Sequence, residues 1–264
     1  MNINKSIIGM VHVGALPGTP KNCLSVAEII EQATSDAQKL EKGGIDAIMI
    51  ENMHDRPYLN RKVGPEIVAA MTAVATKIRQ VVSVPLGIQI LAGANKQALA
   101  VAHSAGFDFI RAEGFAFGHM ADEGMMNSDA AELLRYRKKI GADRIKIWTD
   151  IKKKHSSHAI SADVSIGEMA KAAEFFLADG VIVTGNATGE EASLNDVEAV
   201  KAVAGLPVII GSGIDEQNIA GFWPYADAFI VGSSFKIAGN WQNEVELERV
   251  QDFMKRVSNL RKNS

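Results

Sequence analysis

The chain has 264 residues, the span of one (β/α)8 barrel of about 250, although two small domains would also fit that length. A hydrophobic content of 47% supports a full core, and a formal net charge of −3 argues against nucleic acid or an anionic membrane as partner. Cys23 is the single cysteine, which excludes an intrachain disulfide and a cysteine-based zinc site. With no signal-peptide pattern and no apolar run near the roughly 20 residues a bilayer requires, a cytoplasmic location is expected.

Short apolar runs rich in β-branched residues alternate with amphipathic stretches along the whole chain. Eight strands are predicted at 7–12, 45–51, 86–91, 107–113, 144–150, 180–184, 207–211 and 227–232. Their near-continuous apolar character fits parallel strands buried on both faces. Each is followed by a helical pattern, so the expectation is an α/β fold, one (β/α)8 barrel over residues 1–264. Ser25 with Glu28 and Ser165 with Glu168 read as capping boxes. Gly43-Gly44, Gly106, Gly141, Gly180 and Gly205 stand where helices should stop. An open doubly wound sheet is disfavoured because HVGALPGTP after the first strand carries prolines that forbid an immediate helix.

Barrel sites gather at the C-terminal ends of the strands, so strand ends taken in order give the candidates. His12 ends strand 1 and is a candidate substrate contact, though a lone histidine there can simply be a bonded core residue. Strand 2 runs into IENMHDRPY, where Glu51 interrupts an apolar run and is a candidate acid or base. Asn52 is a candidate substrate contact, and Glu51, His54 and Asp55 offer the donor types of a divalent metal, which is therefore an open possibility. Gln89 ends strand 3. Arg111 and Glu113 end strand 4 and can contact substrate or pair with each other. The glycine- and methionine-rich loop GFAFGHMADEGMM that follows can close over a ligand or pack on another subunit.

Strand 5 ends at Asp150 in WTDIKKKHSSH. Asp150 is a candidate base, Lys152 and Lys154 can stabilise developing negative charge, and His155 adds a titratable group; a solvated basic loop is the plainer reading. After strand 6, Thr184, Gly185, Thr188 and Gly189 can extend a polar cradle. The most specific signal closes the chain: PVIIGSGIDEQN at strand 7 and AFIVGSSFK at strand 8. Gly211, Gly213 and Gly232 let backbone N–H groups approach an anion, Ser212, Ser233 and Ser234 add hydroxyls, and a short helix from Ser233 would point its N-terminus at the same place. Glycine loops after strands 7 and 8 are the usual phosphate site of this architecture.

Taken together, IGMVHVGALPGTP (8–20), IENMHDRPY (50–58), LLRYR (133–137), DIKKKHSSH (150–158), VTGNATG (183–189), GSGIDEQN (211–218) and VGSSFK (231–236) resemble the BtpA/SgcQ family. The resemblance implies a barrel with a ribulose-phosphate-binding-like anion site. One branch is linked to photosystem I accumulation, and the SgcQ branch resembles part of a sugar-uptake and catabolic gene set. IQILAGA (88–94) and RAEGF (111–115) depart from the photosynthetic pattern, which favours a metabolic role. A phosphoribosylanthranilate isomerase looks to need a cysteine where this chain has His12, so that activity is not expected.

The expected function is that of an enzyme on a small sugar phosphate or nucleoside phosphate. Its reaction would be of isomerase, lyase or glycosidic-cleavage type, with no cofactor singled out and a divalent metal left open. A non-catalytic sensing or assembly scaffold, and a metal-dependent hydrolase, are the alternatives. Homo-oligomerisation through exposed barrel helices is compatible with the pattern.

Overall fold

The computed structural model describes residues 3–185 and 191–263. In chain order the elements are β1 (Ser6–His12), α1 (Val26–Lys42), β2 (Ala47–Glu51), α2 (Pro65–Val81), β3 (Leu86–Gln89), α3 (Asn95–Ala105), β4 (Phe109–Ala112), β5 (His119–Ala121), β6 (Gly124–Met126) and α4 (Ala130–Lys139). They continue with β7 (Lys146–Asp150), β8 (Ser156–Ser157), α5 (Ile166–Phe175), β9 (Gly180–Val183), α6 (Leu194–Lys201), β10 (Val208–Ile210), α7 (Ile219–Phe222), β11 (Ala228–Val231) and α8 (Leu247–Lys262). Eight parallel strands close into a barrel in the order β1-β11-β10-β9-β7-β4-β3-β2. The predicted (β/α)8 fold is therefore the observed one.

Local chemistry explains the helix limits. Ser25 and Glu28, and Ser165 and Glu168, form complete capping boxes at the starts of α1 and α5. In α1 the buried stripe Ile29, Ala33, Ala37 and Leu40 repeats at helical spacing and turns toward the barrel. Gly106 stops α3 in the left-handed region at φ 74°, where a Cβ would be strained. Gly180 does not stop α5, as the sequence suggested. It opens β9, and Leu177 takes the left-handed conformation (φ 65°) after the helix instead.

Strands end sooner than their apolar runs. Strand β3 stops at Gln89 because the Leu91 N–H donates to Asn52 Oδ1 (2.8 Å), and β4 stops at Ala112 because the Glu113 N–H donates to Asn95 Oδ1 (3.1 Å). The loop after the fourth barrel strand holds structure of its own. Strands β5 and β6 form an antiparallel hairpin, and β8 pairs with β5, giving a small sheet beside the barrel mouth. Three-residue strands are too short for alternation to reveal in sequence.

Side chains alternate between two packed layers. One face of each strand joins the helices around Val11, Ile48, Ile50, Ile88, Ile110 and Phe229. The other fills the barrel interior with Ile8, Met10, Ala47, Met49, Phe109, Trp148, Ile182, Ile209, Ala228 and Ile230. Phe109 and Trp148 stack there with ring centroids 4.1 Å apart. Adding two residues to the last interior position of each strand gives His12, Glu51, Gln89, Arg111, Asp150, Thr184, Gly211 and Gly232. Strand periodicity thus places one residue per strand on the floor of the barrel mouth.

Candidate functional site

That floor opens into two adjoining chambers. One, of about 270 Å³, is lined by Gly211, Ser212, Gly213, Gly232, Ser233 and Ser234 together with His12 and Arg249. The other, of about 670 Å³, lies toward β3 and β4 and is lined by Gln89, Glu113, Lys153, Tyr58, Trp241 and His155 among others. Glu51, Met53, Arg111 and Lys154 line both, so the chambers meet at these four side chains.

The smaller chamber is suited to an anion. Gly213 sits at φ 69°, a backbone state that only glycine adopts freely, and a Cβ on Gly211 would stand 3.1 Å from the Arg111 guanidinium. Among the described residues no acceptor takes the N–H of Gly213, Ser233 or Ser234. The expected helix from Ser233 is a single 3-10 turn, Ser233–Phe235, closed by Phe235 N–H to Gly232 O (3.0 Å). Its free N–H groups still line the chamber. Arg249 of α8 adds a cation; its Nε donates to Ser234 O (2.9 Å). Sequence reasoning missed Arg249 because it lies in a helix, far from any strand end. Beneath the turn, Lys236 is buried and pairs with Asp36 of α1 at 2.9 Å, while Asp36 Oδ1 accepts from Val245 N–H (2.8 Å).

His12 donates from Nδ1 to the carbonyl of Trp241 (2.9 Å), since a carbonyl only accepts; this leaves Nε2 as a lone pair facing the chamber wall at Gly232. Burial, with Lys236 nearby, pushes its pKa down to about 3, so the ring is neutral at physiological pH.

Arg111 and Asp150 pair with each other. Arg111 Nε and Nη2 each donate to one oxygen of Asp150 at 2.7 Å, with Arg111 5% exposed and the Asp150 side chain 0%. Arg111 therefore does not pair with Glu113. It sits on β4 beside β7, and the register brings Asp150 within reach. Burial works against the Arg111 charge, but Asp150 outweighs it and raises the pKa further. With both oxygens held, Asp150 orients Arg111 and is not poised as a base.

Glu51 is free for that task. It is buried at the junction of the chambers, and among the described residues no hydrogen-bond donor reaches its carboxylate. Burial raises its pKa, opposed by Arg111 and Lys154. The Lys154 ammonium has no carboxylate within 4.0 Å among the described residues; burial, then Arg111, lowers its pKa. Glu113 accepts from Gln89 Nε2 (3.0 Å) and stands 3.7 Å from Lys153, and burial pushes it up to about 6 despite that lysine.

Other expected contacts are spent elsewhere. Asn52 gives its amide to Asp55 (2.7 Å) and its oxygen to Leu91 N–H, so it braces two loops rather than lining a chamber. Asp55 also accepts from Leu16 N–H (2.8 Å), and His54 packs on Trp241 with centroids 5.0 Å apart. Lys152 borders a small void of about 10 Å³ with Asp150 and His158, away from the cleft. Thr184 Oγ1 is buried with no hydrogen-bond partner among the described residues, and it lines neither chamber. Thr188 and Gly189 lie outside the described residues. Among the described residues no three His, Cys, Asp or Glu side chains cluster as a metal site, and no helix is long and apolar enough to cross a membrane.

The chain matches the BtpA family over residues 3–259 and belongs to it. It is 49% identical over 261 residues to an uncharacterised mitochondrial protein of Caenorhabditis elegans, covering 97% of this chain and 94% of that one. It is 35% identical to the photosystem I biogenesis protein BtpA of a Synechocystis species, over 96% of this chain and 88% of that one. Among solved structures it is similar to a thiamine phosphate pyrophosphorylase of Pyrococcus furiosus (TM-score 0.62, 13% identity, 98% of both chains). An orotidine 5′-monophosphate decarboxylase of Methanocaldococcus jannaschii is alike at TM-score 0.61 and 13% identity, over 96% of this chain and 98% of that one. At such identities the structural likeness speaks to the fold alone.

Proposed function

We propose that this protein is an enzyme that holds the phosphoryl group of a small phosphorylated metabolite in the chamber of Gly211–Gly213 and Gly232–Ser234, and moves a proton with Glu51. The observation that carries this reading is the meeting of the two chambers at Glu51, Arg111 and Lys154. A ligand anchored in the anion chamber and extending into the larger one passes these groups.

The chemistry follows from the charges. Glu51, with its pKa raised by burial, takes a proton from a carbon or hydroxyl beside a carbonyl and returns it at a neighbouring atom. Lys154 and Arg111 stand beside the negative charge that develops on the oxygen. Asp150 holds the Arg111 fork in place. Isomerisation, epimerisation and carbon–carbon cleavage share that proton transfer, and the protonated carboxyl serves glycosidic cleavage.

Glu51→Gln tests the role. With a substrate found by screening sugar and nucleoside phosphates, turnover should fall at least a hundredfold while phosphate binding is retained. Undiminished turnover removes Glu51 from the mechanism.

A scaffold role is the second reading. Its support is the exposed apolar surface on the small sheet, Met120 and Met125, next to Leu59. A stoichiometric protein partner lost in Met120→Lys, together with no turnover of any phosphorylated compound, would favour it.

A further inference from the structure

The larger chamber carries a second specificity, which rests on the phosphate reading above. Its floor presents two buried hydrogen-bond acceptors side by side. Gln89 is 2% exposed and Glu113 3%. The Gln89 amide has one orientation, because only its Nε2 can donate to the Glu113 carboxylate, and it does so at 3.0 Å. That leaves Gln89 Oε1 and Glu113 Oε2, neither with a hydrogen-bond partner among the described residues. Lys153 balances the Glu113 charge from 3.7 Å, beyond hydrogen-bond distance.

Buried acceptors of this kind are costly when left dry. Less than 1 Å² of either oxygen is open to solvent, so water does not relieve that cost, and a ligand donor that reaches them does. A methyl or bare ring carbon in the same place would strand both oxygens.

We propose that the substrate's end remote from phosphate carries hydrogen-bond donors, a sugar hydroxyl pair or the exocyclic amine and ring N–H of a base, that pair with Gln89 Oε1 and Glu113 Oε2. Both sources share the chemistry of neighbouring neutral donors, and two matched pairs of probes separate them. Ribose 5-phosphate against 2-deoxyribose 5-phosphate tests the hydroxyls. Guanosine 5′-monophosphate against inosine 5′-monophosphate tests the amine beside a ring N–H.

Calorimetric titration of the full chain at pH 7.5 should show that one pair loses about tenfold or more in affinity when the donor is removed. In Gln89→Leu the affinity difference within that pair should narrow, since one of the two acceptors is gone, and inorganic phosphate should bind as it does to the wild type. The wild-type pairs decide the matter even where the variant does not fold. Equal affinity within both pairs, with all four compounds binding, overturns the donor proposal and leaves the phosphate site standing. No binding by inorganic phosphate or any of the four overturns both.

Discussion

Replacing Asp150 by Asn separates a positioning role from a catalytic one, and its size can be worked from the geometry. The two 2.7 Å bonds from Arg111 hold opposite charges at the cleft floor, with the Asp150 side chain fully buried and Arg111 nearly so. At an effective dielectric of 20 their gross attraction is about 6 kcal/mol, against a desolvation cost of several kcal/mol per ion. The net value of forming the pair is therefore small. Breaking it is another matter: the amide keeps one acceptor oxygen but turns an NH2 donor toward the guanidinium, and the buried Arg111 cation loses the carboxylate charge that both bonds shared. Removing one partner of such a pair costs about 3–5 kcal/mol. At about 2–3 °C per kcal/mol for a chain of this size, the melting temperature of Asp150→Asn should fall by about 6–15 °C. The double replacement Arg111→Met with Asp150→Leu should recover most of that loss, since a packed apolar pair avoids both desolvation costs. Thermal unfolding of the single and double variants measures both effects. A single variant within about 2 °C of wild type would refute the buried-clamp account.

Glu113 predicts a pH signature. Its pKa rises from the ordinary 4.5 to about 6 in the fold, so folding favours the protonated form. That contribution is fully present below pH 4.5 and is lost as the pH rises through 6, by about 2 kcal/mol. Glu113→Gln cannot ionise, so its stability relative to wild type should rise by about 2 kcal/mol between pH 4 and pH 7.5 in urea titrations; a difference independent of pH contradicts the assignment. His12 has the opposite sign: with its pKa lowered from 6.5 to about 3, the neutral ring stabilises the fold above pH 6.5, and this is lost as the pH falls toward 3. Its imidazole NMR signal should show no protonation at pH 5, whereas a midpoint near 6.5 would mean the ring is not buried. Lys236→Met leaves Asp36 without its buried cation beneath the Ser233–Phe235 turn and should cost about 3–5 kcal/mol in denaturant unfolding, with no change expected if that pair is solvated.

The fold was legible because parallel barrel strands are apolar on both faces and helices such as α1 and α5 begin with recognisable capping boxes. Strand ordinals then pointed to Gly211, Gly213, Gly232 and Ser233, and polar residues at strand ends to Glu51 and Arg111. What the sequence could not convey was pairing across the barrel. Arg111 and Glu113 are neighbours in sequence and on one face, but register sends Arg111 to Asp150 and Glu113 to Gln89 and Lys153. Asn52 and Asp55 look like ligands in a polar loop, and their atoms are consumed by the N–H groups of Leu91 and Leu16. Arg249 and Trp241 reach the cleft from the segment after β11, where no strand end marks them.

The central claim, a phosphate site at Gly211–Gly213 and Gly232–Ser234, is tested most directly by thermal shift with inorganic phosphate, sugar phosphates, nucleoside monophosphates and their dephosphorylated counterparts. Binding to the folded state raises the melting temperature by mass action. The account predicts stabilisation by phosphorylated compounds alone, abolished by Gly213→Asp, whose side chain would put a negative charge and a Cβ strained at φ 69° into the chamber. Equal shifts with and without the phosphoryl group, or none with any phosphorylated compound, would contradict it.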